Sequence, residues 1–424
     1  MSAKSKGRNG RYTSAKRGTR YLMAIFLVAG SLGVISPNTS AAESFSVKHG
    51  QHPRLYANEL RLNQIRAALK DDSSVIAQAW SDTSTHANRK AEKLNAGGRP
   101  VDVYNANPNH LTGTAQLLGL GYHLTGDAKF SEAADKYIAQ LVGVMPRSEG
   151  GDYSQGGRIE AMGLMYDWFY YELSSYQKNQ LATAIKETIP FLSPDICGPG
   201  NALTANWSCE IMPAYPKAVG GHSYANNKGI TAGLLAIVDE HPELMPLLAV
   251  QHENFSKSFD AVRAWVGIDG GYHMGWSYGS SYRSLDATQL WLSATDANMI
   301  KSWQGKIIDF YIYGLRGDMT FPVSGDSFGK KLSYPNIPAF ALWSAQLFNN
   351  GHARDFYNRW IEPRQTYNRF DELFYWQPNA PTRAVEELPL ARHFRNAGSV
   401  LMRDTWDYPN ATLLEFKSAS FSSR

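Results

Sequence analysis

Two segments of the chain combine glycine punctuation with side chains able to move protons or hold a polar ligand. One reads Ala218-Val219-Gly220-Gly221-His222-Ser223-Tyr224-Ala225-Asn226-Asn227-Lys228-Gly229. The other runs from Ile268 through Gly270-Gly271-Tyr272-His273 and Trp276-Ser277-Tyr278 to Tyr282-Arg283. Imidazole and phenol groups give and take protons when they lie within hydrogen-bond reach of a reacting atom, and carboxamides hold polar groups. Gly220-Gly221 lets the backbone turn tightly before His222, and Asn226-Asn227 falls where the next helix is expected to begin. A single connector of this kind is explained by a loop histidine and an N-cap asparagine. Two with the same punctuation, His222 with Asn226 and Asn227 in one and His273 with Tyr278 in the other, favour a shared site. A third polar connector, "VYNANPNHLTG", contributes Asn109.

The elements that must position these residues are helices. Apolar residues recur at three and four from Ala57 to about Asn379, with few alternating runs. The pattern predicts helices over Glu59–Leu69, Ser74–Leu94, Thr112–Leu124, Ala128–Met145, Arg158–Leu173, Ser175–Thr188, Asn227–Asp239, Pro242–Trp265, Ser280–Leu292, Ala297–Tyr313, Ile337–Phe348 and Ala353–Trp360. Gly126 and Asp127 punctuate one hairpin, and Ser174 or Ser175 caps another. Paired helices without a sequence period suit a mainly α, (α/α) toroid better than a regular solenoid. We assign the toroid to residues 43–378, followed by a Pro-rich linker over 379–390. Residues 391–424 read as the start of a β-domain, with "AGSVLMRDTW" and "ATLLEFKSASF" as strands. Two strands do not make an independently stable sheet, so this reading has the chain stopping short of a full domain.

Residues 1–42 read as a signal peptide: Lys4, Lys6, Arg8, Arg11, Lys16, Arg17 and Arg20 precede the apolar run Tyr21 to Ile35, and Ser40-Ala41-Ala42 offers a cleavage site. A secreted or periplasmic protein beginning near Glu43 is expected, with no membrane span after signal removal. Those seven basic residues leave fewer Lys and Arg than the 38 Asp and Glu in the rest, so the basic overall balance gives no warrant for a nucleic-acid partner. Cys197 and Cys209, the only cysteines, flank a Gly/Asn-rich stretch and read as a loop-clipping disulfide. Aromatics make up 12% of the chain, which fits either a helical core or a sugar-binding surface.

The order of "HPRLY", "YDWFYYELS", "GGHSYANNKG", "GGYHMGWSYGSSY", "FPVSGDSF" and "LARHFRNAGSVLMRDTW" resembles the heparinase II/III-like polysaccharide lyases over almost the whole chain after the signal. The resemblance implies an (α/α) toroid followed by an antiparallel β-sandwich that is incomplete here. It implies β-elimination in an anionic, uronic-acid-containing polysaccharide, with His222 and Tyr278 as catalytic residues. Asn226, Asn227, His273, Tyr282, Arg283 and Asn109 are then substrate-binding candidates, and Tyr272 an aromatic neighbour. The family's further histidine falls beyond Arg424. Ala225 stands where heparinase II has an acidic residue, which favours an alginate-like polymer over heparin. No cofactor is required by these residues, and a metal in the remainder of the β-domain is unconstrained.

Other readings stay open at this point. A toroid glycoside hydrolase would use paired carboxylates, with Asp269, Asp286 and Asp326 as candidates. A uronate epimerase shares the first proton transfer, and a non-catalytic polysaccharide-binding scaffold needs no chemistry. Arg158 is a weaker candidate for an anionic sugar contact.

Overall fold

The computed structural model describes residues 45–99, 108–144, 152–197, 221–265, 269–272, 276, 284–323, 337–364, 369–395 and 397–418. All belong to the compact unit Glu43–Arg424. Among them are thirteen α-helices: α1 Glu59–Ala68, α2 Val75–Asn95, α3 Pro108–Thr125, α4 Ala128–Val142, α5 Asp152–Trp168, α6 Ser175–Cys197, α7 Gly221–Ile237, α8 Met245–Trp265, α9 Ser284–Ala294, α10 Ile307–Gly314, α11 Ile337–Phe348, α12 Gly351–Phe356 and α13 Phe370–Tyr375. The protein is mainly helical, with a small antiparallel sheet near its C-terminus.

Local chemistry places several boundaries as expected. Asp127 accepts from the Lys129 amide and caps α4, while Ser74 caps α2 through the Ala77 amide. Ser174 and Gln177 bond each other's backbone reciprocally, so the α5–α6 hairpin turns on a capping box. Other boundaries differ. Residues 297–301 have no regular secondary structure, the Ile300 amide bonding the Asn298 side chain, and Ser302–Lys306 is a 3-10 turn, so the expected helix over Ala297–Tyr313 shrinks to Ile307–Gly314. Helix α7 begins at Gly221 rather than at Asn227, which moves His222 from a loop into a helix.

Odd-numbered helices α3, α5 and α7 pack on one another in succession, as do α2, α4 and α6 beside them, and α13 returns against α2. Helices α5 and α7 approach most closely because glycines face each other: a Cβ on Gly229 would lie 2.0 Å from the Gly156 carbonyl oxygen, and one on Gly163 3.0 Å from that of Ala232. Only hydrogen at these positions allows backbone-to-backbone contact. Trp168, Trp276, Trp291, Trp343 and the ring of Tyr311 are fully buried, so the aromatic richness largely fills the core.

The segment 46–56 acts as a strap across the C-terminal ends of the site-bearing helices. Lys48 Nζ donates to the carbonyls of Leu292 (2.9 Å) and Ser293 (3.0 Å) at the end of α9. Arg54 donates to the Leu235 carbonyl in the last turn of α7 through Nη2 at 2.6 Å and to Asp239 at 2.8 Å. Cations here satisfy orphan carbonyls at the negative ends of the helices. Asp167, at the end of α5, accepts from the Arg54 and Leu55 amides, both at 2.8 Å, and from buried His52 at 2.7 Å.

Three strands, β1 Ala391–Phe394, β2 Ser399–Arg403 and β3 Leu413–Lys417, pair in that order. Strand β1 adds to the two expected from sequence; its Arg392 and His393 hide any apolar alternation. Phe394 meets Phe310 edge-on at 5.0 Å, and Arg403 donates to the carbonyls of Tyr313 and Leu315, both at 2.8 Å, which seats the sheet on α10. Residues 379–390 run along α12, where the Val385 amide bonds Asp355 at 3.0 Å and Arg359 pairs with Glu386 at 2.7 Å.

Candidate functional site

The glycine crossing of α5 and α7 sets the geometry of a buried polar centre beside the first turns of α7. Lys228 Nζ lies 3.1 Å from Glu160 Oε1 on α5 and 3.5 Å from Asp286 Oδ2 in the first turn of α9. Its side chain is 8% exposed and that of Glu160 2%, whereas Asp286, at 16%, faces the more open side. Tyr56 donates its hydroxyl to the same Glu160 oxygen at 2.5 Å. Burial first, then the neighbouring charges of Glu160 and Asp286, pushes the Tyr56 phenol well above its ordinary range, so it stays a donor.

One turn before Lys228 on the same face of α7, the Tyr224 hydroxyl accepts from the Ala287 amide at 3.2 Å. Helix α7 is thus tied twice to the start of α9, by a neutral bond and by an ion pair. Asp286 also sits favourably at the positive end of α9.

Asn226 and Asn227 are fully buried. Because α7 begins at Gly221, neither is an N-cap; both lie more than a turn inside the helix. The Thr231 hydroxyl donates to the Asn227 carbonyl at 2.9 Å. Asn226 packs against Gly156, where a Cβ would come within 2.6 Å of its Oδ1. Neither its Oδ1 nor its Nδ2 has a hydrogen-bond partner among the described residues. A buried carboxamide so placed costs about 1–3 kcal/mol unless something bonds it, which marks Asn226 as a ligand-binding candidate.

The remaining sequence candidates divide clearly. His222 belongs to α7, Asn109 to α3 and Cys197 to α6, but their side chains lie outside the described residues. His273, Tyr278, Tyr282, Arg283, Cys209 and Asp326 lie outside them altogether. Of the two uses open to the aromatics, a helical core or a sugar-binding surface, those at the described positions of the second glycine motif take the core. Tyr272 is 8% exposed and Trp276 fully buried, stacked on Phe310 at 3.9 Å. Gly270, at φ +86°, passes so near the Lys306 carbonyl that a Cβ would sit 1.9 Å from its oxygen, and Gly271 abuts Phe394. These glycines serve packing against protein.

The carboxylate candidates fare differently. Asp269 accepts from the Gly271 amide at 3.2 Å and the Arg395 amide at 2.7 Å, so it staples this turn to the β1–β2 hairpin. Asp286 and Glu160 share one ammonium, an arrangement of charge compensation rather than an acid and a base flanking a substrate bond. Arg158 is buried and donates to the Leu141 carbonyl at 2.9 Å near the end of α4, a capping role. Among the described residues, no group of three or more His, Cys, Asp or Glu side chains is placed to hold a metal ion, and no helix is long and apolar enough to cross a membrane.

Sequence reasoning missed Tyr56, Glu160 and Lys228. A signal existed for Glu160, an acid inside the apolar run "RIEAMGLM", where an unpaired charge would be prohibitive. Compared with protein-family models and with curated proteins, the chain matches none of either.

Proposed function

We propose that the protein is a polysaccharide lyase that cleaves a uronic-acid-containing anionic polysaccharide by β-elimination, with His222 and Tyr278 at its reacting centre. The observation that carries this reading is the double tie of α7 to α9, Tyr224 to Ala287 and Lys228 to Asp286. It joins the helix containing position 222 to the helix into which the Tyr278 connector runs. The alternation of odd and even helix neighbours supports an (α/α) toroid, and the sheet seated on α10 supports the start of a β-sandwich. The basic and apolar N-terminal run supports export.

The C5–H of a uronate is acidic because it lies alpha to the carboxylate. A base takes that proton, the electron pair forms the C4=C5 bond, and the C4–O bond breaks while an acid protonates the departing sugar oxygen. Charge building on the carboxylate demands fixed donors in a dry site. Asn226, buried with its amide unengaged by described residues, suits that role, with His222 and Asn227 as further donors. Tyr278 is the base and the acid. A phenol ionises near pH 10, so this use requires a neighbouring donor or cation such as His222 or Arg283.

Incubation with alginate, heparin and chondroitin tests the reading through ultraviolet absorbance of an unsaturated uronate. A rise that Tyr278→Phe abolishes while circular dichroism is unchanged supports it. New reducing ends without absorbance indicate hydrolysis, C5 inversion without cleavage indicates an epimerase, and binding without turnover indicates a scaffold.

A further inference from the structure

Lys228 stands at the junction of four separate pieces of chain: the strap through Tyr56, α5 through Glu160, α9 through Asp286, and its own helix α7. Two carboxylates and one ammonium lose most of their hydration there, and apolar side chains of similar size would hold the helices about as firmly. What the ionic arrangement adds is direction. Gly156 and Gly229 meet backbone to backbone, so the orientation of α7 on α5 falls to the side chains around that contact, Asn226 against Gly156, Ile159 against Gly233 and Lys228 against Glu160. The Lys228–Glu160 pair, adjacent to that contact, sets the rotation of α7 about its axis. The Lys228–Asp286 pair, beside the Tyr224–Ala287 bond, sets the separation of the starts of α7 and α9.

Positions 224 and 228 occupy the α7 face turned to α9. Position 226 faces Gly156 on α5, and position 222, one turn earlier, shares that register. A rotation of α7 would therefore move positions 222 and 226 relative to the start of α9 at Ser284. Tyr56 reinforces the arrangement from a left-handed backbone, φ 63°, with its amide on Ser293 Oγ at 2.9 Å and its carbonyl on Gln289 at 3.0 Å. A bulky residue in that region is held there by its surroundings, and such strain collects around functional sites.

We infer that Lys228 is a positioning residue, which through Glu160 and Asp286 keeps the first turns of α7 in register with the start of α9. Its consequence for turnover rests on the lyase reading; its consequence for the helices does not.

The experiment compares wild type, Lys228→Met and Lys228→Arg by hydrogen exchange and by turnover of the polymer that wild type cleaves. Lys228→Met is expected to raise exchange in peptides covering 221–230 and 284–290, while peptides from α2 and α4 stay unchanged and melting stays cooperative. Lys228→Arg restores protection. On the cleaved polymer, kcat falls about 10-fold to 100-fold, the scale of loss for displaced catalytic groups, with KM within about twofold. Unchanged exchange in those peptides overturns the inference whatever the polymers show, as does uniform loosening of every helix in both variants. An exchange change confined to the two segments upholds it even where wild type cleaves no polymer, in which case the lyase reading alone falls. If Lys228→Met does not fold, Glu160→Gln is read in the same way.

Discussion

Tyr56 and Glu160 meet at 2.5 Å across 104 positions of sequence, one on the N-terminal strap and the other midway along α5. The strap closes the C-terminal ends of α7 and α9 with Lys48 and Arg54 and then delivers this hydroxyl to the polar centre. Tyr56→Phe removes one bond to a buried carboxylate that Lys228 still partners. We expect a loss of about 1.5–3 kcal/mol in urea denaturation at neutral pH. The pH dependence carries a sign. The native phenol is held above its unfolded value of about 10, so its contribution is whole below that pH and is lost as pH rises past it. Tyr56→Phe should therefore lose less stability than wild type between neutral pH and about pH 11. A parallel alkaline decline in both proteins would mean that Tyr56 ionises freely.

Asp239 predicts the opposite limb. Burial pushes its carboxyl up, but bonds from Arg54, the Gly50 amide and His49 outweigh this and hold it below its ordinary value. A depressed carboxylate stabilises the fold above its unfolded pKa of about 4, and the contribution fades as pH falls through that range. Asp239→Asn should cost about 1.5–3 kcal/mol at neutral pH and flatten the acid limb of a stability profile. An unchanged midpoint at neutral pH would show that the strap does not depend on this anchor.

The helix crossing is testable with single methyl groups. Gly229→Ala drives a Cβ to 2.0 Å from a backbone oxygen of α5, so the two helices must separate, at a cost of about 1–3 kcal/mol or more. Gly113→Ala, inside α3 with nothing within 4 Å, should instead gain about 0.5–1 kcal/mol from reduced backbone freedom in the unfolded chain. Equal effects at the two positions in chemical denaturation would refute the close crossing.

Much of the helical framework was legible, and the reasons are local. Asp127, Ser74 and the Ser174–Gln177 pair declare their helices through side chains that reach only a few residues. The start of α7 was hidden because "GGHSYANN" has poor helix propensity; it is helical where Gly229 packs on Gly156, a contact made by distant chain. Asn226 was legible as a candidate but not as a buried, unengaged carboxamide, since burial there is conferred by α5. The Lys228, Glu160 and Asp286 cluster joins three helices far apart in sequence, and no spacing rule could have assembled it.

Trp276 separates a packing role from a sugar-stacking one. It is closed between Phe310 and Phe321, at ring separations of 3.9 and 5.4 Å, while Gly314 leaves room for its six-membered ring, since a Cβ there would lie 1.9 Å from Cη2. A ring so enclosed has no face left for a saccharide, and its truncation leaves a cavity. Trp276→Ala should cost about 3–5 kcal/mol, whereas Trp276→Phe, which keeps an aromatic in the slot, should retain polymer affinity in a titration monitored by calorimetry. Loss of affinity in Trp276→Phe at unchanged stability would mean that the indole leaves its slot to stack on sugar. Loss of stability with affinity intact places the aromatic half of this motif in the core.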